Sequence, residues 1–302
     1  MSKIVEFIPN FSEGRRDDVI NALVKEARGV PGVTLLDYTS DKSHNRSVFT
    51  LIGSPEGIAE AAFRLCKLAA QRIDMREHKG EHPRMGASDV FPFVPVQEIT
   101  MEECAALSKQ VAGHIWKELA IPSFLYEYSA ARPGRINLAS LRKGQFEGMP
   151  EKLLQEEWAP DYGERKIHPT AGIMAIGARH PLVAFNINLN TADIRIADAV
   201  AKTIRGSSGG YQYCKAIGVM LEERNLAQVS INMVNYIGTP IYRVFEAVRA
   251  EAKRWGVSIA GSEIIGLTPA RALIDCAEYY LRIENFDYQK QVLENHLLSG
   301  SP

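Results

Sequence analysis

One order of elements, met twice along the chain, constrains the fold more than any other feature. Residues 4–9 form a short apolar-rich run read as a strand. A helix pattern follows over 17–27, stopped by Gly29 and Pro31. Two strands, 33–38 and 47–53, flank the polar stretch 39–45 and are expected to pair antiparallel. Ser54-Pro55-Glu56 reads as a helix start, with Ser as cap and Pro at the first helical position. Ile58, Ala61, Ala62, Leu65, Leu68 and Ala69 then recur with the period of one helix face. Residues 90–96 close the set as a fourth strand. The order is β-α-β-β-α-β, the ferredoxin-like signature.

Thr100-Met101-Glu102-Glu103 is a capping box opening a helix to about Leu119. A strand over 123–128 and a short helix over 139–143 follow. The region 144–172 is rich in Gly, Pro and charge, and is expected to be irregular, as long functional loops are. The first order then returns. Residues 182–189 read as a strand, Thr191 as the cap of a helix to Ile204, and 216–221 with 228–234 as an antiparallel pair. Thr239-Pro240 starts a helix with Ile241, Val244, Phe245, Val248, Ala252 and Trp255 on one face and Gly256 as its stop. A short strand over 263–266 and a last helix from Thr268-Pro269 complete the chain. The expected class is α/β (α+β), with two ferredoxin-like subdomains, 1–178 and 179–302, and a cleft or tunnel between them.

Length and charge narrow what such a scaffold can serve. With 302 residues, 46% apolar and 24% charged, the chain can build a real core and is not a disordered or disulfide scaffold. A net charge of −1 excludes a general nucleic-acid binder, so an anionic ligand must meet locally concentrated cations. Glu6 falls where a signal core would be apolar, and no run reaches the length of a membrane span. Cys66, Cys104, Cys214 and Cys276 have no metal-like or redox-like spacing and read as small hydrophobes. A cytoplasmic location is expected.

The densest polar run is His78-Lys79-Gly80-Glu81-His82-Pro83-Arg84-Met85-Gly86-Ala87-Ser88-Asp89, between a helix and a strand. His78 and His82 are spaced as metal ligands on a helix would be. Gly80 between them and Pro83 after His82 argue against helical geometry. No metal is therefore expected. Either histidine can instead be a loop residue bonding nearby backbone, or His82 can be a general acid/base, since its ordinary pKa lies near neutrality. Three weaker clusters remain. The turn Asn10–Arg15 can offer helix-start amides to an anion or be a plain cap. The junction holding Asp37, Asp41, His44, Asn45 and Arg46 can be a site or a solvated loop. Gly206-Ser207-Ser208-Gly209-Gly210 lacks the ending of a phosphate loop and reads as a connector.

Taken together, these segments resemble the glutamate formimidoyltransferase (formiminotransferase) family. The match rests on Pro9-Asn10-Phe11-Ser12-Glu13-Gly14, Asn45-Arg46, the run from His78 to Ala87 with Asp89-Val90, and Trp158-Ala159-Pro160-Asp161. It extends to Ala184-Phe185-Asn186-Ile187-Asn188-Leu189 and Asn225-Leu226-Ala227-Gln228-Val229-Ser230, so it spans both halves. The resemblance implies a homodimer of two α/β subdomains that moves a formimino group from N-formimino-L-glutamate to tetrahydrofolate, the folate co-substrate. It implies that His82 is catalytic. It also implies a folate-binding segment of Gly163, Glu164, Arg165, Lys166, Ile167, His168, Pro169, Thr170, Ala171 and Gly172, where Gly163, Pro169 and Gly172 carry the match. Arg46 and Arg84 are candidate clamps for substrate carboxylates. Asp37, Asp41 and Asp89 are candidates to hold the cationic amidine. The chain ends at Pro302, so ring closure after transfer is expected to need another protein. The rival readings are an enzyme acting on 5-formyltetrahydrofolate and a non-catalytic folate-binding protein.

Overall fold

Proline sets the first irregularity of the fold. The computed structural model describes residues 2–298. Its opening strand is split by Ile8-Pro9 into β1 (Ile4–Phe7) and β2 (Asn10–Phe11). Pro9 has no N–H to give a ladder. Its carbonyl nevertheless accepts from Phe49 N at 3.0 Å, and Ile8 N donates to Pro92 O at 3.1 Å, so the two pieces run as one. Next come α1 (Asp17–Arg28), β3 (Val33–Asp41), β4 (Arg46–Gly53), α2 (Pro55–Arg72) and β5 (Ser88–Gln97). β4 and β5 flank the split strand on either side, and β3 lies outside β4, every pairing antiparallel. This is the β-α-β-β-α-β arrangement expected from element order. The Ser54 and Thr100 caps also form as read, Ser54 Oγ accepting from Gly57 N at 3.1 Å.

The sheet then grows beyond that unit. α3 (Met101–Leu119) leads to β6 (Ser123–Leu125), α4 (Leu138–Arg142), α5 (Gln145–Lys152) and β7 (Met174–Ala178). β7 pairs parallel to β5, and β6 parallel to β7. Both faces of β5 are buried, which is why 90–94 reads as a continuous apolar run. One face carries Phe7, Phe11, Phe49, Phe91 and Phe93, all fully buried, with Phe7 and Phe91 edge to face at 5.0 Å. Each such burial contributes about 1.5–3 kcal/mol. The other face carries Met85, Val90, Phe124, Tyr126, Leu141, Met149, Leu153 and Ile173.

Several sequence expectations are corrected here. The strand expected over 123–128 stops at Leu125, because the chain turns at Glu127 with φ of +51°. β7 was not legible, being a five-residue run with a glycine. The region 144–172 is not wholly irregular. It contains α5, whose Gly148 and Pro150 hide the pattern, and which tertiary contacts of Met149 and Leu153 hold.

The chain divides into two units, the first ending at Arg179 and the second beginning at His180. In the second, β8 (Val183–Leu189), α6 (Ile194–Ile204), β9 (Cys214–Leu221), β10 (Leu226–Met233), α7 (Ile241–Arg254) and β11 (Ile259–Ile265) repeat the order. Their sheet is β11-β8-β10-β9, antiparallel throughout. The cap of α6 is Asp193, accepting from Arg195 N at 2.9 Å, while Thr191 Oγ1, two residues earlier, accepts from Asp193 N at 3.1 Å. On α7, Ile241, Val244, Val248 and Ala252 are buried as expected, but Trp255 is exposed beyond the helix end. α8 (Ala270–Leu281) is not the last helix, since α9 (Tyr288–Gln291) and α10 (Leu293–Leu298) follow. Cys66, Cys104 and Cys214 are buried and Cys276 half-buried, all as free thiols. No helix among the described residues is long and apolar enough to cross a membrane.

Candidate active site

Three loops of the first unit converge because small residues let their backbones touch. A Cβ on Gly80 would meet His44 O at 2.2 Å, so only glycine lets the 78–82 loop lie against the β3–β4 turn. Asn45, in the left-handed region at φ of +49°, ties them together. Its Oδ1 accepts from Gly14 N at 2.9 Å, and its Nδ2 donates to Lys79 O at 3.0 Å. Between these loops is a narrow recess lined by Ser12, His44, Asn45, Arg46, His78, His82, Arg84 and Asp89.

His82 is half-buried on the wall of this recess. Burial, reinforced by the positive charges of Arg46 and Arg142, pushes its pKa down to about 4, although Asp89 pulls the other way. The near-neutral value expected from the sequence is therefore corrected: the ring is held neutral, with a lone pair available at any ordinary pH. His82 Nδ1, Arg46 Nε and Arg142 Nε are buried without a hydrogen-bond partner among the described residues. Buried polar atoms seldom go unsatisfied, and these three gather around one histidine.

The flanking charges differ in availability. Arg46 gives Nη2 to Asn10 Oδ1, and burial together with Arg142 lowers its pKa to about 10. Arg84 has no donor to spare. Its five N–H groups go to His78 Nδ1, His78 O, Gln145 Oε1 and both oxygens of Glu147, the last at 2.6 and 2.8 Å. Arg84 thus ties the recess to α5. Asp89 is also committed. Oδ1 accepts from Met85 N at 2.9 Å, and Oδ2 pairs with Arg142. Asp41 receives His44 N at 2.7 Å and His44 Nδ1 at 3.0 Å, and these bonds, the backbone one first, hold its carboxyl below the usual range. Asp37 is exposed on β3 and does not line the recess.

His78 donates Nε2–H to Asn45 O at 2.9 Å and takes Arg84 Nε on Nδ1 at 3.2 Å, so both its nitrogens are engaged within the protein. Its spacing from His82 therefore reflects packing. The helix-start amides after β2 are filled as well. Glu13, itself buried, accepts from Arg15 N and Arg16 N at 2.9 and 3.0 Å. The carboxylate expected there is the chain's own.

The segment 163–172 reaches the site by one end only. Ala171 O accepts from Ala87 N at 2.9 Å, and Ile173 N donates to Met85 O at 3.0 Å, joining it to the run after His82. Gly172 is obligatory there, with φ of +73° and Met85 O at 2.3 Å from where a Cβ would stand. His168 Nδ1 accepts from Ala171 N at 3.0 Å and so shapes the turn through Pro169 and Thr170. Glu164, Arg165 and Lys166 are exposed, Glu164 pairing with Lys166 at 2.6 Å and Arg165 with Glu156. Ile167 is half-buried against the second core. Arg142 went unread in the sequence, because its short helix has no motif and its partner lies 53 residues away.

The first unit is thus an α+β fold that sets a half-buried imidazole beside the guanidinium groups of Arg46 and Arg142. Comparison with known proteins gives the family. A model of the formiminotransferase domain, N-terminal subdomain, matches residues 4–179, and one of the formiminotransferase domain matches 184–297. The chain belongs to the formiminotransferase family. A glutamate formimidoyltransferase of Streptococcus pyogenes serotype M1 is 67% identical over 298 residues, covering 99% of this chain and 100% of the relative. One of Thermoplasma acidophilum is 44% identical, covering 97% of each. The formimidoyltransferase-cyclodeaminase of Mus musculus is 43% identical over 93% of this chain, which spans 53% of that protein.

Proposed function

We infer that the chain is a glutamate formimidoyltransferase, moving the formimino group of N-formimino-L-glutamate to tetrahydrofolate. The observation that carries the reading is full-length similarity to a relative of that name, together with His82 held neutral near Arg46 and Arg142, each of which keeps an unpaired Nε–H. N5 of tetrahydrofolate attacks the amidine carbon, and the glutamate nitrogen must leave as an amine. A neutral imidazole is the right group to take the N5 proton. Arg46 and Arg142 offer donors to a substrate carboxylate, and a bound anion would relieve the charge that depresses His82, making it a stronger base once substrate is seated. Asp89 fixes Arg142 rather than touching the amidine. The end of the 163–172 segment that joins Met85 and Ala87 supports a folate pocket beside His82. We place the enzyme in the cytoplasm, which the free thiols support, and read it as a homodimer, supported by exposed apolar Leu273, Tyr279 and Leu281 on α8.

The test is turnover of N-formimino-L-glutamate with tetrahydrofolate, run beside 5-formyltetrahydrofolate with glutamate, each with and without ATP. Formimino transfer without ATP is expected. In His82→Asn, turnover falls by about 10²–10⁴-fold while tetrahydrofolate binding and thermal unfolding stay near wild type. Activity only on the formyl donor, or binding with no turnover at all, would replace this reading by one of its rivals.

A further inference from the structure

We propose that His44, oriented by Asp41, is a second catalytic residue that protonates the departing glutamate nitrogen while His82 takes the proton from N5. This rests on the transfer reaction inferred above. The two rings lie on the same recess with centroids 6.1 Å apart and planes at 80°, edge to face, close enough to serve two nitrogens bonded to one carbon. They differ in kind. His82 is half-buried, beside Arg46 and Arg142, in a setting that opposes a charged ring. His44 is half exposed, and its Nδ1 lies 3.0 Å from a carboxylate oxygen, so a doubly protonated ring there has its charge compensated.

The side chain is placed rather than mobile. Its backbone N–H is held by Asp41 Oδ1 at 2.7 Å, and its carbonyl abuts Gly80. The next residue, Asn45, is bonded to Gly14, Lys79 and His78. With Nδ1 committed to Asp41, Nε2 is the atom left to carry a proton to substrate. This is the division of labour in which a carboxylate orients an imidazole for acid–base work.

The steps balance. The N5 lone pair forms the new C–N bond, and the C=N π pair of the protonated amidine moves to its terminal nitrogen, leaving that nitrogen neutral. His82 removes the proton now on N5. His44 gives its Nε2 proton to the glutamate nitrogen as that C–N bond breaks and its electron pair stays on glutamate. The terminal nitrogen's lone pair re-forms C=N on the folate side. One proton has passed to His82 and one has left His44, and solvent exchange resets both.

The experiment measures kcat and KM for N-formimino-L-glutamate and tetrahydrofolate in wild type, His44→Ala and Asp41→Asn, with and without added imidazole. His44→Ala is expected to lose about 10²-fold or more in kcat with KM little changed, and millimolar imidazole is expected to restore part of the loss, because the half-exposed site admits it. Asp41→Asn is expected to lower kcat by a smaller factor. A His44→Ala enzyme with wild-type kcat would overturn the proposal. So would one whose loss lies in KM or fails to respond to imidazole, since that marks a merely structural or binding role. Wild type in the same series separates the two inferences: an inactive wild type counts against the transfer reaction itself, whereas an active wild type with an undisturbed His44→Ala counts against His44 alone.

Discussion

Arg142, on α4, reaches across 53 residues of sequence to pair with Asp89 at the start of β5, and both side chains are largely buried. The pair sits beside His82 and acts on it with opposite signs, Arg142 lowering its pKa and Asp89 raising it.

Replacing Arg142 by Met therefore removes a positive charge and releases a buried negative one. Both changes favour the imidazolium. The pKa of His82 is expected to rise clearly above about 4, and a titration followed by NMR of the imidazole C–H signals measures it. An unchanged value would mean that burial and Arg46 set it without Arg142.

The same depressed pKa predicts the acid response of the fold. His82 titrates near 4 when folded and near its ordinary 6.5 when unfolded. Between these values the unfolded chain binds the extra proton, so stability rises with pH across the window. The contribution is present above pH 6.5 and is lost as pH falls through 4. His78, His168 and His180, which burial also shifts down, add with the same sign. Urea midpoints between pH 4 and 7 are expected to fall on acidification, less steeply in His82→Asn.

Arg84 and Arg46 should separate stability from binding. Arg84→Lys cannot reproduce the five-bond fork to His78, Gln145 and Glu147 and is expected to cost about 2–3 kcal/mol. Its KM should change little. Arg46→Lys is expected to raise KM for N-formimino-L-glutamate about tenfold, the loss of roughly one charge-assisted bond, with a small change in urea midpoint.

Asp161 belongs to structure. It pairs with fully buried Arg135 at 2.6 Å and accepts from Leu125 N at 2.8 Å. Asp161→Asn strands that guanidinium and is expected to cost about 3–5 kcal/mol in urea unfolding, while Arg135→Met with Asp161→Leu recovers much of it.

What the sequence determined by itself was the order of elements and the segments that matter. Apolar periodicity and caps such as Ser54 and Thr100 are local, acting within a few residues, so both β-α-β-β-α-β sets were legible. Local pattern left His82 open between a loop contact and an acid/base, and only the resemblance of the run from His78 to Ala87 singled it out. Tertiary structure decided which polar groups are available. Arg84 and Arg46 look alike in sequence, yet Arg84 is consumed by Gln145 and Glu147, more than 60 residues away, while Arg46 Nε stays unpaired. Glu13 fills the amides that a ligand was expected to take. The shift of His82 depends on burial and on Arg142, neither of which any local pattern records. Charge and hydrogen-bonding capacity are set by what packs against a residue, and that is known only when distant parts of the chain have met.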